Sequence, residues 1–285
     1  MGSLTDPPFG RIAIVGLGLI GGSIALAARR RWPAITVVAV DRSAVIETAL
    51  TMRAIDDGGE DLRVAERADL VVLAAPVLQN VDALRRLPDH LDRRAVVTDV
   101  SSTKRAISDA AAEVALTFIG GHPLAGAAVS GLEAARPDLF DDRPWILTGA
   151  DRAPDEAGAA LAQFVVAMRS VPVRMDAAEH DRLLAYISHL PQLAVSALMH
   201  VVGGRVGADG LALAGRGLRD TTRLATSPAP TWRDIVATNG DNISTALDDL
   251  IAALQQLKPH VADPPSVVDD VFLSAAKWKG VLEHG

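Results

Sequence analysis

The feature that most constrains the fold of this 285-residue chain is a glycine-rich turn between an apolar run and a helix-forming segment. The turn is Gly16-Leu17-Gly18-Leu19-Ile20-Gly21, and the apolar run is 12–15. In a strand–turn–helix unit, Gly16 permits the tight turn, Gly18 lets a ligand approach the backbone, and Gly21 lets the helix pack on the strand. The free N–H groups at the start of the helix, aided by its dipole, favour a pyrophosphate. The turn therefore predicts a dinucleotide site.

An acidic residue after the second predicted strand indicates which dinucleotide binds. Asp41 ends the β-rich run 35–40 and lies about twenty residues beyond the glycine turn, where a ribose is expected. A carboxylate there accepts hydrogen bonds from the ribose hydroxyls of NAD and repels the 2′-phosphate of NADP. The adjacent Arg42 leaves NADP open as the less favoured cofactor. Pro76, at the end of another predicted strand, is expected to face the dinucleotide too.

The composition argues against several classes of function. The formal net charge is -7 and no basic tract is present, which disfavours nucleic acids and anionic membranes as partners. The uncharged stretch 12–28 contains glycines and is shorter than the roughly 20 apolar residues of a membrane span. The absence of cysteine excludes disulfides and thiolate metal sites and fits the cytoplasm. No set of histidines or carboxylates has metal-ligand spacing, so no metal is predicted.

Strand-like runs alternate with helical stretches over residues 1–175, which predict a dinucleotide-binding domain. The predicted strands are 12–16, 35–41, 70–75, 95–99, 118–121, 145–148 and 171–175. The early runs are apolar throughout, as in parallel strands covered on both faces. The predicted fold is α/β, a Rossmann-like doubly wound and mostly parallel sheet with a ligand crevice at the carboxyl ends of the strands.

Residues 176–285 lack strand signals and predict an all-helical C-terminal domain for substrate binding and dimerisation. The expected helices are 176–202, broken or kinked near Pro191, then 220–225, 232–257 and 266–282, with a glycine-rich interruption over 203–217. The first of these helices carries enough apolar residues to pack against a second subunit. A homodimer is the expected assembly.

Polar residues at the predicted crevice could carry chemistry. His122 follows an apolar strand and is held between glycine and proline. A histidine there can accept a hydroxyl proton near neutral pH as hydride leaves the same carbon. Of Ser101 and Ser102, one is expected to cap a helix and the other to bond the histidine or a substrate hydroxyl. His189, in an apolar helix after His180, is as consistent with a buried core histidine as with a ligand.

An arginine cluster in the second half suits an anionic substrate. Arg216, Arg219 and Arg223 fall within one short segment, and a guanidinium binds a carboxylate through two parallel hydrogen bonds. Surface ion pairs with Asp220 and Asp234 are the alternative expected for part of this cluster.

Taken in chain order, these segments resemble the prephenate/arogenate dehydrogenase (TyrA) family of tyrosine biosynthesis. The matching segments are 16–23, 99–104, 122–126, 188–191, 220–223 and 232–235. The resemblance implies a Rossmann-like N-terminal domain and a helical domain that dimerises. It also implies NAD-dependent oxidative decarboxylation of a cyclohexadienol, either prephenate to 4-hydroxyphenylpyruvate or arogenate to tyrosine.

The resemblance also implies roles for individual residues. His122 would take the ring-hydroxyl proton, and Ser102 would bond that histidine or the hydroxyl. Arg223 would hold a substrate carboxylate, and Trp232 would line the pocket. Ser101, His189 and Gln192 complete the expected substrate-side set, in which His189 matches the first histidine of a family segment and is expected to have a structural or supporting role.

Two departures from the family pattern leave the choice between prephenate and arogenate open. Gln192 replaces a second histidine, and Ala128 stands where a glutamate is common. Two other functions compete with this interpretation. One is a β-hydroxyacid dehydrogenase, which typically uses a lysine on the interdomain helix, and residues 180–191 contain none. The other is a non-catalytic NAD-binding sensor.

Overall fold

The first half of the chain folds into one eight-stranded sheet. The structure is a computed structural model that describes residues 6–126, 129, 131–261 and 266–284. The strands are β1 (Arg11–Val15), β2 (Thr36–Val40), β3 (Asp57–Gly59), β4 (Leu70–Leu73), β5 (Val96–Asp99), β6 (Thr117–Pro123), β7 (Pro144–Thr148) and β8 (Val171–Met175). Their order is β3-β2-β1-β4-β5-β6-β7-β8, and the β6–β7 pair is antiparallel while the other pairs are parallel.

Helices cover both faces of the sheet, and the described elements that follow β8 are all helical. They are α1 (Leu19–Arg31), α2 (Ser43–Thr51), α3 (Val77–Arg86), α4 (Arg105–Ala112), α5 (Asp155–Ala167), α6 (Ala177–Leu184), α7 (Leu190–Ala212), α8 (Arg216–Thr221), α9 (Ala229–Leu257) and α10 (Ser266–His284). One core joins Ile14 of β1 to Ile24 and Phe164 of the helices, and a second joins Val71 to Leu84. Because both faces are buried, the central strands are apolar throughout. The predicted α/β fold with a helical C-terminal region is confirmed.

The strand order brings the predicted binding segments to one edge. Strands β1, β4, β5 and β6 are consecutive neighbours and run in the same direction, so their carboxyl ends are adjacent. The glycine turn follows β1, Pro76 follows β4, Ser101 and Ser102 follow β5, and His122 lies near the end of β6. At about 4.8 Å between strands, these four positions span roughly 14 Å.

The edge strand β3 was not predicted. Its sequence, Asp57–Gly59, offers no apolar residue and only three positions. Parallel pairing with β2 forms it, since Ala39 and Val40 present unpaired backbone groups on that side. A pairing of this kind depends on the neighbouring strand rather than on local propensity.

The expected break or kink near Pro191 takes the form of a π-helical turn without a break in the helix, whereas the predicted glycine-rich interruption begins too early. A π-helical turn over Ala185–His189 precedes α7, and Pro191 occupies the first turn of that helix. Helix α7 then continues through Gly203 and Gly204 to Ala212, with Gly207 leaving helical geometry at φ +64°. A glycine costs a helix only about 1 kcal/mol, so two of them do not end it.

The C-terminal helices bury little of their own apolar surface. Their core comprises Ala185, Ile235, Ile243 and Ala246. Among the described residues, several large apolar side chains on these elements are exposed: Val201, Leu213, Ile251, Leu254, Phe272, Leu273, Trp278 and Leu282. None of the helices in the described ranges is both long enough and apolar enough to cross a membrane.

Candidate active site

The glycine turn contains two positions that exclude any side chain and one that leaves space for a ligand. Gly16 has φ +97°, and a Cβ on it would lie 2.6 Å from the Ala75 nitrogen. A Cβ on Gly21 would lie 2.0 Å from the Gly16 oxygen. At Gly18, by contrast, a Cβ would meet nothing within 4 Å. The turn is therefore closed against the sheet and open above Gly18.

Backbone donors surround that open space. The Gly22 N–H makes the first helical bond, to the Gly18 oxygen at 2.9 Å. The N–H groups of Leu19, Ile20 and Gly21 precede it and have no partner within the helix. Helix α1 has no side-chain cap and no acidic residue in its first turn. Free donors beside an open backbone fit a pyrophosphate, so the turn passes this test for a dinucleotide.

Asp41 connects the second strand to the glycine turn. Its carboxylate accepts the N–H of Leu17 at 2.7 Å and the N–H of Arg42 at 2.7 Å. An ionised carboxylate has about four acceptor sites, so acceptor capacity remains for a ribose. The Arg42 side chain is 86% exposed, and its Nε lies 3.9 Å from Asp41. Asp41 thus fixes the conformation of the glycine turn, in addition to its expected role in binding the ribose.

A buried asparagine braces the rim between β4 and β5. Asn80 of α3 accepts the Ala75 N–H at 3.0 Å and donates to the Ser101 hydroxyl at 2.9 Å. Pro76 is exposed at the start of α3, and Ser102 is half-buried without a hydrogen bond among the described residues. Asn80 thereby holds the loops after β4 and β5 together.

His122 is nearly buried and is engaged through one ring nitrogen. Its side chain is 8% exposed, and its Nδ1 lies 2.8 Å from Nε2 of His180. Its Nε2 has no partner within the described ranges, and Ser102 does not bond it. Burial, followed by repulsion from His180 and Lys104, holds the pKa of His122 well below its usual value. His122 is therefore a neutral imidazole at physiological pH.

Asp181, a residue of α6, bonds His180 and also accepts the backbone N–H groups at the start of helix α4. It accepts from His180 Nδ1 at 2.8 Å, from the Lys104 N–H at 2.7 Å and from the Arg105 N–H at 3.0 Å. The prediction that one of the serines caps this helix was wrong, because α4 has no local side-chain cap. Burial acts to raise the pKa of Asp181, but these hydrogen bonds outweigh it and lower the pKa below 3.8.

A buried ion pair fixes the backbone immediately before His122. The Lys104 ammonium bonds the Asp99 carboxylate and donates to the Gly121 carbonyl, the latter at 2.6 Å. Asp99 accepts the Gly121 N–H at 3.0 Å, so the pair holds both backbone groups of that glycine. Both side chains are fully buried. Burial lowers the pKa of Lys104, and Asp99 opposes that shift.

His189 and Trp232 are linked to His122 through Asn239. The Asn239 amide donates to the Asp181 carbonyl at 2.8 Å and to His189 Nδ1 at 3.2 Å. The Trp232 ring meets His189 edge to face, with 5.9 Å between centroids. Burial lowers the pKa of His189 to about 4. The structure thus joins these predicted residues of both halves into one network.

Arg223 lies in a turn held by Gln192 and forms no hydrogen bond with the His122 network among the described residues. Gln192 donates to the Leu224 carbonyl at 2.8 Å and accepts from the Ser227 hydroxyl at 3.0 Å. These bonds fasten the 3₁₀ turn Arg223–Thr226 to α7. The guanidinium of Arg223 is exposed and forms no ion pair within the described ranges.

The ion pairs expected for the arginine cluster are not formed. Within the described ranges, Arg216, Arg219 and Arg223 are exposed, and none pairs with Asp220 or Asp234. Ala128, where the family often has glutamate, lies outside the described residues.

The motifs had not assigned a role to the residues that organise His122. His180, Asp181, Lys104 and Asn239 are buried polar residues from separate segments. The available signal was the His-Asp pair in an otherwise amphipathic helix, but its partners in α4 and α9 are distant in sequence.

Comparison with known proteins identifies the family. Residues 24–173 match the family model described as prephenate dehydrogenase, nucleotide-binding domain, and residues 176–267 match the one described as prephenate dehydrogenase, dimerization domain. The chain belongs to the prephenate dehydrogenase family. This agrees with the motif-based prediction and disfavours both alternatives, the β-hydroxyacid dehydrogenase and the sensor.

Individual relatives extend the similarity over most of the chain. A Bacillus subtilis prephenate dehydrogenase is 33% identical over 258 residues, covering 88% of this chain and 70% of the relative. The structure of Synechocystis arogenate dehydrogenase is 30% identical, with a TM-score of 0.81 over 95% of this chain and 99% of that one. A prephenate dehydrogenase from A. aeolicus, solved with hydroxyphenyl propionate and NAD+, is 26% identical, with a TM-score of 0.85 over 95% and 97% of the two chains.

Proposed function

We propose that this protein is an NAD-dependent dehydrogenase that oxidatively decarboxylates prephenate or arogenate. The observation that carries the proposal is the position of His122 on the sheet edge that holds the glycine turn. This histidine is buried and neutral, keeps one ring nitrogen unpaired within the described ranges, and connects to the C-terminal half through a hydrogen-bond network. Those are the properties required of a base beside a dinucleotide.

The proposed chemistry needs one base and a well-oriented substrate. Nε2 of His122 accepts the proton of the ring hydroxyl, and Ser102 lies on the same rim to bond that hydroxyl. When bound, NAD supplies the acceptor for the hydride that leaves the same carbon. Carbon dioxide departs and the ring becomes aromatic, which makes the overall step favourable. Orientation by the two halves then contributes most of the remaining catalysis.

The proposed cofactor contacts lie along β1, β2 and β4. The N–H groups of residues 18–21 receive the pyrophosphate, and Asp41 receives the ribose hydroxyls. The position of Asp41 favours NAD over NADP, although Arg42 lies beside it. Pro76 lines the path toward His122.

The proposed substrate contacts come from the C-terminal half. The exposed guanidinium of Arg223 holds a carboxylate, and Trp232 with His189 forms a wall of the pocket. Gln192, whose amide is engaged internally, fixes the turn that presents Arg223. Ser101, bonded by Asn80, supports the rim on the other side.

We also propose the larger organisation. Residues 1–175 form the dinucleotide-binding domain, and residues 176–285 form the helical domain that binds substrate and pairs two subunits. The exposed apolar side chains of α7, α9 and α10 and the match to a dimerization domain support a homodimer. The absence of cysteine favours a cytoplasmic location.

A spectrophotometric assay tests the proposed reaction. The purified protein is supplied with prephenate or arogenate together with NAD or NADP, and reduced cofactor is followed by absorbance. We expect reduction of NAD with at least one of the two substrates and release of carbon dioxide in equal amount. Failure with both substrates and both cofactors would refute the proposal.

Substitution of Gly18 tests the glycine turn without disturbing the fold. Because a Cβ at this position meets no protein atom within 4 Å, Gly18→Ala should leave the free energy of unfolding nearly unchanged. The added methyl occupies the space proposed for the pyrophosphate, so the Kd for NAD should rise about tenfold or more, equivalent to about 1.4 kcal/mol. Calorimetric titration with NAD and denaturant unfolding measure the two quantities. Unaltered NAD affinity would place the pyrophosphate elsewhere.

Arg223→Ala tests the proposed carboxylate contact. A hydrogen bond to a charged group contributes about 1.5–3 kcal/mol, so KM for the substrate should rise roughly 10- to 100-fold with a smaller change in kcat. Arg219→Ala removes a neighbouring exposed arginine and serves as the matched control. If Arg219→Ala raises KM instead, the carboxylate is held by that residue.

A further inference from the structure

We propose that His180 and Asp181 are positioning residues that fix which nitrogen of His122 carries the proton. The proposal deepens the proposed function, because it explains how His122 becomes a base. Neither residue is expected to touch the substrate, since both side chains are fully buried and bond other protein groups. Their contribution is to hold His122 in the one tautomer that can accept a proton at Nε2.

The directions of the hydrogen bonds follow from the acceptor at the end of the chain. An ionised carboxylate can only accept, so Asp181 requires the proton of His180 to lie on Nδ1. Neutral His180 then has a lone pair on Nε2, which faces His122 Nδ1 at 2.8 Å. That nitrogen of His122 must donate. The remaining nitrogen, Nε2, consequently carries the lone pair, as a base requires.

Asp181, which ends the series of hydrogen bonds from His122 through His180, is held in place by several contacts. Asp181 is fully buried and accepts from the Lys104 and Arg105 backbone N–H groups in addition to His180. The Arg105 guanidinium lies 3.4 Å away and is itself paired with Asp241 of α9. The carboxylate therefore cannot rotate without breaking the start of α4, and the tautomer of His180 is set by the fold.

The charged groups around His122 agree with this assignment. From the β5–α4 segment, Lys104 faces it together with its partner Asp99, and from the π-helical turn His189 contributes a third imidazole. Burial is the main cause of the lowered pKa of His180, and the bond to Asp181 opposes it only in part. With His180 neutral, its Nε2 remains an acceptor. When His122 gains a proton at Nε2, its Nδ1–H still donates to His180, which Asp181 holds in place.

Two substitutions of His180 separate positioning from a purely structural role. The amide nitrogen of Asn can reach the place of imidazole Nδ1, so His180→Asn keeps a donor for Asp181 and removes the acceptor for His122. The amide of Gln extends to the place of Nε2, so His180→Gln restores that acceptor. His90→Asn is the matched control, because His90 precedes β5 and lies at the opposite edge of the sheet.

The tautomer is read directly from the ¹⁵N shifts of the labelled histidines, with His122→Asn used to assign the His122 signals. We expect His122 in the wild-type enzyme to carry its proton on Nδ1. In His180→Asn we expect the Nε2–H form to appear, and kcat to fall about tenfold or more while both KM values stay within about twofold. His180→Gln should recover the Nδ1–H form and most of the rate, and His90→Asn should match the wild type.

A proton on Nε2 of wild-type His122, or an unchanged tautomer in His180→Asn, would overturn the proposal. Should His180→Asn fail to fold, the wild-type spectrum and His180→Gln still decide the question. The spectra require no substrate. A protein with the expected tautomer that oxidises neither prephenate nor arogenate would refute the proposed function and leave the positioning role standing.

Discussion

His122→Asn is expected to lower kcat by roughly 10²- to 10⁴-fold, the usual effect of losing a general base. Asparagine can keep a donor in the place of Nδ1, so the contact with His180 can survive while the basic Nε2 is lost. The Kd for NAD should hardly change, because the proposed cofactor contacts lie on β1, β2 and β4. Steady-state kinetics and NAD titration measure the two effects, and a variant with most of its activity would remove His122 from the mechanism.

The pH profile provides an independent check on the same residue. The folded pKa of His122 lies below the ordinary value of 6.5, and only the unprotonated ring can accept a proton. Activity should therefore persist through pH 6.5 and be lost as the pH falls through this lower pKa. An acidic limb of kcat/KM centred above 6.5 would contradict a buried, neutral base.

Lys104→Met is expected to lower the free energy of unfolding by about 3–5 kcal/mol. Methionine fills a similar volume but leaves the Asp99 carboxylate buried with no cation beside it. The Gly121 carbonyl also loses its donor, so the backbone before His122 is released. Denaturant unfolding of the full-length protein measures the loss.

A double variant distinguishes a stranded charge from a packing defect. Asp99→Asn added to Lys104→Met removes the uncompensated charge and keeps one carbonyl oxygen, which can accept either the Gly121 or the Ser101 N–H. We expect it to recover a substantial part of the lost stability. A single Lys104→Met variant within about 1 kcal/mol of the wild type would show that the ion pair contributes little.

The nucleotide-binding half could be predicted because its signals are local. The strand, glycine turn and helix of 12–28 are contiguous, and the apolar runs specify strands that both faces cover. Strand β3 escaped prediction because Asp57–Gly59 becomes a strand only by pairing with β2. The continuation of α7 past Gly203 was not predicted, because several glycines in one segment suggest an interruption although each costs a helix only about 1 kcal/mol.

The candidate site could be predicted residue by residue but not as an arrangement. His122 stands out through its flanking glycine and proline, and Arg223 through its cluster. The bonds that orient them join distant segments, such as Asp181 to Lys104 and Asn239 to His189. The serines at 101 and 102 looked like helix caps because Ser commonly caps, yet a carboxylate from α6 takes that role. Buried polar groups find hydrogen-bond partners that are distant in the sequence, and the spacing of residues within a motif does not predict those partners.

The acceptor for the first turn of α4 is supplied by a residue that follows the last strand of the sheet. Grafting the nucleotide-binding half onto a foreign helical partner would leave the Lys104 and Arg105 amides without the carboxylate of Asp181. His122 would also lose its hydrogen bond with His180. Chimeras within this family should therefore exchange the start of α4 and the whole of α6 as one piece. The contacts on which the site depends lie between those two helices, so a boundary for exchange should not be placed at the connection between the halves.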